Sequence, residues 1–125
     1  MFLAPARQCI FLAREEASSF SKCEIGLEDL LVGIARQNPT LFLDAGALIR
    51  VIEAEEPATR RPPPMEDLRL SRETKLALGG ALEITHSAGR HGVGPLDLIE
   101  GILRQPETSA ARLLREHIRS EPQEG

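Results

Sequence analysis

A chain of 125 residues with 42% hydrophobic and 27% charged side chains has the size and balance of one small globular domain, and leaves no room for a second catalytic module. Its 15 basic and 19 acidic residues give a net charge of −4, and with 3% aromatics it lacks both the basic footprint and the stacking platforms of nucleic-acid binders. No apolar run approaches the roughly 20 residues that span a bilayer, and Met1-Phe2-Leu3-Ala4-Pro5 carries no basic leader, so a cytoplasmic protein that binds neither nucleic acid nor membrane is expected.

Pro5 suits the first turn of a helix, and Ala6, Cys9, Ile10, Ala13, Ala17 and Phe20 recur at helical spacing, which predicts a helix over about 5–20. A second helix is predicted after Gly26, with Leu27, Leu30, Leu31 and Ile34 turned inward. Asn38-Pro39 reads as the cap of a third, closed by Gly46, and Ala47 to Glu55 as a short fourth that buries Leu48, Val51 and Ile52. The run Glu55-Glu56-Pro57-Ala58-Thr59-Arg60-Arg61-Pro62-Pro63-Pro64 cannot continue a helix and reads as a semi-rigid linker. Beyond it Ser71 caps a long helix to Ala88, Gly94-Pro95 starts another, and Thr108 or Ser109 caps a last one carrying Ala110, Leu113, Leu114 and Ile118. Ser120 to Gly125 is a polar tail expected to fray.

The two halves are one unit used twice. A shift of 68 positions places Ala13 on Ala81, Glu15 on Glu83, Ser19 on Ser87, Gly26 on Gly94 and Asp29 on Asp97. The same step places Leu30 on Leu98, Gly33 on Gly101, Ile34 on Ile102, Arg36 on Arg104 and Gln37 on Gln105. Ten identities without a gap stand well above the two or so expected by chance. A unit this small exposes its apolar face when alone, so the two copies must close one core together. The expected fold is all-α: two tandem repeats of a roughly four-helix unit packed as a pseudo-twofold bundle. Repeat one covers 2–55, the linker 56–69 and repeat two 70–120 of a single domain, the fourth helix of the second copy being absent or reduced.

The recurring glycines carry expectations of their own. Gly26 and Gly94 end loops where the backbone turns tightly into a helix. Gly33 and Gly101 fall in mid-helix, where glycine costs about 1 kcal/mol against alanine, so each is expected to admit a neighbouring helix at close range. No GxxxxGK[ST] occurs, so none of the four reads as a phosphate loop and no ATP hydrolysis by that route is available. The pair Gly79-Gly80 also lies within a helix, and the first repeat has Phe11-Leu12 there. Those two side chains lie off the main apolar stripe and are either extra core or part of a partner-binding patch.

For zinc the inventory is Cys9, Cys23, His86, His91 and His117, with no metal-ligand spacing; reduced thiols and no metal or other cofactor are expected. Cys9 on the apolar stripe reads as a small core residue rather than a nucleophile. Glu83-Ile84-Thr85-His86 has the Glu-x-x-His spacing of carboxylate-bridged di-iron bundles, but a second copy of that motif is missing, which leaves a metal-binding helical enzyme as a remote alternative. Glu28, Asp29 and Asp97 sit at helix starts, where the helix dipole favours an acid in any case.

Ala13-Arg14-Glu15-Glu16-Ala17, Ile25-Gly26-Leu27-Glu28-Asp29 and Leu30-Leu31-Val32-Gly33-Ile34-Ala35 in the first copy resemble the double Clp-N motif, the N-terminal domain of the Clp/Hsp100 chaperone ATPases. The second copy answers with Leu70-Ser71, Ala81-Leu82-Glu83, Val93-Gly94-Pro95-Leu96-Asp97 and Leu98-Ile99-Glu100-Gly101-Ile102-Leu103, so the resemblance covers nearly the whole chain. It implies a non-enzymatic protein-interaction module that docks an adaptor, a client protein or a Clp ATPase or protease component. Some members of that family bind phosphoarginine-marked clients through the Thr after an opening Phe and the Glu of a Gly-Thr-Glu-His stretch of the same repeat. Carried over, the first repeat has Leu3 and Glu28 and the second Ser71 and Leu96, one polar partner each; without a carboxylate the second has lost its main attraction for a guanidinium. The residues expected to meet a partner are Phe2, Leu3, Glu28 and Ser71. The alternative is a structural domain that associates with its own copy.

Overall fold

Leu3 leaves the chain extended (φ −70°, ψ 163°), proline occupies the first turn, and helix α1 (Ala4–Ser19) runs with Ala6, Cys9, Ala13, Glu16 and Ala17 buried along one face. The computed structural model describes residues 1–56 and 68–119. After α1 come strand β1 (Glu24–Ile25), helix α2 (Leu27–Gln37) and helix α3 (Ala45–Ala54). Strand β2 (Arg69–Leu70) and helices α4 (Arg72–Ser87), α5 (Pro95–Leu103) and α6 (Ser109–His117) complete the order. Among the described residues the fold is all-α apart from two short strands.

The expected third helix is a single 3-10 turn, Pro39–Leu41. The Asn38 side chain does not cap it; its Oδ1 accepts from the Thr40 hydroxyl at 2.9 Å, and Phe42 returns to extended backbone. Gly46 does not end that turn but falls in the first turn of α3, which Asp44 caps by accepting from the Ala47 N–H at 3.0 Å. In α3 Leu48 and Ile52 are buried, whereas Val51 is exposed. The second half follows its caps: Ser71 Oγ accepts from Thr74 N at 3.1 Å and Thr108 Oγ1 from Ala111 N at 3.2 Å. Most of the linker, residues 57–67, and the tail from residue 120 lie outside the described residues.

Helix α1 packs along α2 and α4 along α5, and the same device brings each pair together. A Cβ on Gly33 would lie 2.2 Å from the Cys9 carbonyl oxygen, and one on Gly101 would lie 2.2 Å from that of Ala77. Residues 9 and 77, like 33 and 101, differ by 68, so both repeats cross their helices backbone to backbone at equivalent points. The glycines at the helix starts differ from expectation. Gly26 and Gly94 have φ of −86° and −108°, which any residue adopts. Among the described residues the left-handed positions are Ser21 (φ 59°) and Gly89 (φ 72°), again 68 apart, in the loops after α1 and α4. Serine is strained there and glycine is not. Ser21→Gly is therefore expected to raise stability by about 0.5–1 kcal/mol in urea unfolding. An unchanged midpoint would mean that the loop relaxes around serine without cost.

The repeats are joined crosswise. β1 pairs in parallel with β2, Ile25 facing Leu70, while an isolated parallel bridge joins Phe2 to Val93. Ser71 N donates to Ile25 O at 3.0 Å and Leu3 N to Val93 O at 2.9 Å, so the lead-in of each repeat is held by the loop of the other. Thr74 Oγ1 adds a buried bond to Ile25 O at 2.9 Å. The C-terminal end closes on the first repeat, Leu43 N donating to His117 O and Arg119 N to Leu41 O, each at 2.8 Å.

Candidate functional site

The crosswise pairing sets the first turn of one repeat's leading helix beside the first turn of the other repeat's inner helix, and a pocket forms at each junction. One, of about 320 Å³, is lined by Gly26, Leu27, Glu28, Ser71, Thr108 and Ser109. Stepping each by 68 gives Gly94, Pro95, Leu96, Leu3, Thr40 and Leu41, and all six line the second, of about 890 Å³. The two pockets are one site made twice with opposite chemistry.

In the first pocket Glu28 is half-buried in the opening turn of α2 and accepts a hydrogen bond from the Ser109 hydroxyl at the start of α6. The buried Ser71 hydroxyl caps α4 and shares a 2.9 Å hydrogen bond with Thr74 Oγ1. In the second pocket Leu96 and Leu3 replace the acid and the hydroxyl, and they are 60% and 41% exposed. Ile84, Ile99, Leu103 and Ile118 extend that wall, with Arg90 and Arg119 also on its lining.

The pairing within one repeat expected from the sequence is thereby corrected. Glu28 and Ser71, from different repeats, share one pocket with both polar groups present, while Leu3 and Leu96 share the other, which has neither. Phe2 lines neither; it is half-buried, bridges to Val93 and packs on the core. The sequence reading missed Leu41, Ile118 and Arg119. The same step of 68 links Thr40 to Thr108 and Leu41 to Ser109, a signal present in the chain but hidden by the misread helix around Pro39.

Asp29 and Asp97 stand beside the pockets as scaffolding. Each accepts from the backbone N–H three residues before it, Gly26 at 2.8 Å and Gly94 at 2.9 Å. Each is held by a cation, Lys22 Nζ at 2.9 Å from Asp29 and Arg90 on Asp97, and residues 22 and 90 are again equivalent. Burial raises the Asp29 carboxyl above its ordinary range, against the pull of the Gly26 N–H and Lys22.

The remaining candidates lie elsewhere. Glu83 is exposed and ion-paired to Arg104 at 2.9 Å, and His86 is exposed, so the Glu-x-x-His pair is on the outside of the bundle rather than in its core. That placement does not fit a di-iron centre. Cys9 is buried, its Sγ 3.7 Å from Gln37 Oε1, and burial pushes its thiol up to about 12, so it is a core residue with little thiolate at neutral pH. Cys23 is exposed, and both cysteines are free. Among the described residues no helix is long and apolar enough to cross a membrane.

No protein-family model and no curated protein sequence matches the chain. Solved structures do. The N-terminal domain of the caseinolytic protease associated chaperone ClpD from Arabidopsis thaliana superposes with a TM-score of 0.76 at 20% identity, over 92% of this chain and 83% of that one. A protein from a malarial protein secretion system gives 0.75 at 15% identity, with the same coverage. The Hsp104 N-terminal domain from Candida albicans gives 0.70 at 16% identity, over 92% of this chain and 80% of its own. The chain has the fold of the Clp and Hsp104 N-terminal domains.

Proposed function

We propose that this chain is a non-catalytic docking module that takes an extended segment of an adaptor or client protein into the apolar pocket between its repeats. The observation that carries the reading is that pocket itself: about 890 Å³, walled largely by aliphatic side chains with Arg90, Asp97, Glu100 and Arg119 also on its lining, and with Leu96 and Leu3 left partly in water. Apolar surface gathered in a concave site at the junction of two repeats is what a protein keeps for a ligand rather than for its own core. The equivalent pocket supports the same reading with a second chemistry, since Glu28 beside the Ser71 hydroxyl suits a cationic side chain. The fold shared with Clp and Hsp104 N-terminal domains agrees with a protein as the partner class.

The test is binding of a fluorescently labelled, permanently unfolded polypeptide, reduced and carboxymethylated, followed by anisotropy. Leu96→Asp places a charge on an exposed position of the pocket wall and is expected to weaken binding at least about tenfold, as loss of a well-buried apolar contact does. The helical circular-dichroism signal should stay unchanged. Glu28→Lys is expected to lower affinity for segments rich in lysine and arginine and to leave purely apolar ones unaffected. Equal binding by the wild type and Leu96→Asp sinks the apolar-pocket reading.

A further inference from the structure

Gly79 is a helix-interior glycine without an internal reason. Glycine destabilises such a position relative to alanine, and a Cβ built on Gly79 meets nothing within 4 Å. Gly80 differs, because a Cβ there would press on the Arg104 side chain at 3.3 Å. Gly79 instead floors a groove of about 390 Å³ on the outer surface of α4 and α5. Leu76 and Leu82, three residues to either side, are 54% and 37% exposed. The equivalent of Gly79 in the first repeat is Phe11, which points away from the buried face of α1 and is 50% exposed. Of the two leucines only Leu76 lines the groove, whose remaining walls are Lys75, Glu83, Arg104 and Gln105, so the chain carries a notch with polar sides on one helix and an outward aromatic at the matching place on the other.

Charge gives the pair an orientation. Four residues before and after Phe11 stand Arg7 and Glu15; four before and after Gly79 stand Lys75 and Glu83. All four are exposed, and Glu83, already paired with Arg104 at 2.9 Å, has a second carboxylate oxygen for a further cation. With two such helices crossed antiparallel, Phe11 over Gly79, Arg7 meets Glu83 and Glu15 meets Lys75; crossed parallel, like charges meet. We propose that the groove over Gly79 receives Phe11 of a second copy of this chain, α1 of one copy lying antiparallel across α4 of the next. Each copy has one knob and one notch, so two copies can exchange both contacts about a twofold axis, or single contacts can run head-to-tail through more than two copies. It is independent of the docking reading above, because none of these residues lines either pocket.

The experiment is light scattering from micromolar to millimolar protein, with variants that break each half. Wild type is expected to rise with concentration above the monomer mass of 13.7 kDa. Phe11→Ser and Gly79→Leu should each stay at that mass, and Gly79→Leu should melt no lower than wild type because its side chain enters open space. Mixed together, the two variants should recover a one-to-one pair, since one still has the notch and the other the knob. Glu15→Lys should weaken association and Lys75→Glu added to it should restore it. A wild type that stays monomeric at millimolar concentration, a mass increase that survives both single variants, or a mixture that fails to pair overturns the proposal.

Discussion

Gly33→Ala is expected to destabilise the protein by about 2–3 kcal/mol, the range of an overpacked core, although alanine is the better helix former by about 1 kcal/mol. The added Cβ would sit 2.2 Å from Cys9 O and 2.9 Å from Ala13 N. Both are backbone atoms of a helix and cannot swing aside as a side chain would, so α1 and α2 have to separate along their whole contact. Gly101→Ala meets Ala77 O at 2.2 Å and should cost about as much by the same overpacking. Gly79→Ala is the internal control: the same chemical change in open space should stabilise by up to about 1 kcal/mol. Urea unfolding followed by circular dichroism measures all three. If Gly33→Ala unfolds at the same urea concentration as Gly79→Ala, close helix crossing is not what retains the glycine.

Lowering the pH from neutral is expected to stabilise the fold, and Glu16 is the reason. Its side chain is buried in α1, Arg36 of α2 reaches its Oε1 at 3.4 Å and Glu53 Oε2 of α3 at 3.0 Å, and Glu16 Oε2 has no partner. Burial, and then the neighbouring Glu53 carboxyl, push this carboxyl up to about 7 against the pull of Arg36. The folded state therefore holds the Glu16 proton more tightly than the unfolded chain, whose carboxyl titrates near 4.5. Its contribution is complete below pH 4.5 and is lost as the pH rises to 7. The expected loss is on the order of 2 kcal/mol. Glu16→Gln removes the titration, so its stability should vary less between pH 5 and 7 than wild type. Asp29, raised in the same direction, leaves a smaller slope in both proteins. Parallel pH curves for wild type and Glu16→Gln would show that Arg36 keeps Glu16 ionised throughout. The second repeat holds Ile84 at the position of Glu16, so this pH sensitivity belongs to the half that carries α3.

Much of the local structure was legible because it rests on near neighbours in sequence. Ser71 caps α4, Thr108 caps α6 and Pro5 stands in the first turn of α1, each a matter of one turn of backbone. The error at residues 38–46 has the same origin. Asn38-Pro39 has the composition of a helix start, but Asn38 spends its side-chain oxygen on Thr40, and the chain must extend at Phe42 to meet Ile118, 76 positions further on by the numbering. The position of Phe11 off the stripe says only that it is not central, so sequence alone leaves it between core and surface; its exposure depends on what packs over α1.

The sequence by itself determined the helical fold class, the duplication and the glycine crossings, because periodicity, internal identity and the steric demand of a missing side chain are all written along the chain. Only the tertiary structure decided how the two copies interlock. Equivalent lead-ins and loops can pair within a repeat or across it, and nothing in their spacing along the chain distinguishes the two. Crosswise pairing, fixed by Ser71 N on Ile25 O and Leu3 N on Val93 O, is what moves Glu28 next to Ser71 and Leu3 next to Leu96. Two half-matched sites in sequence thereby become one polar and one apolar pocket in space.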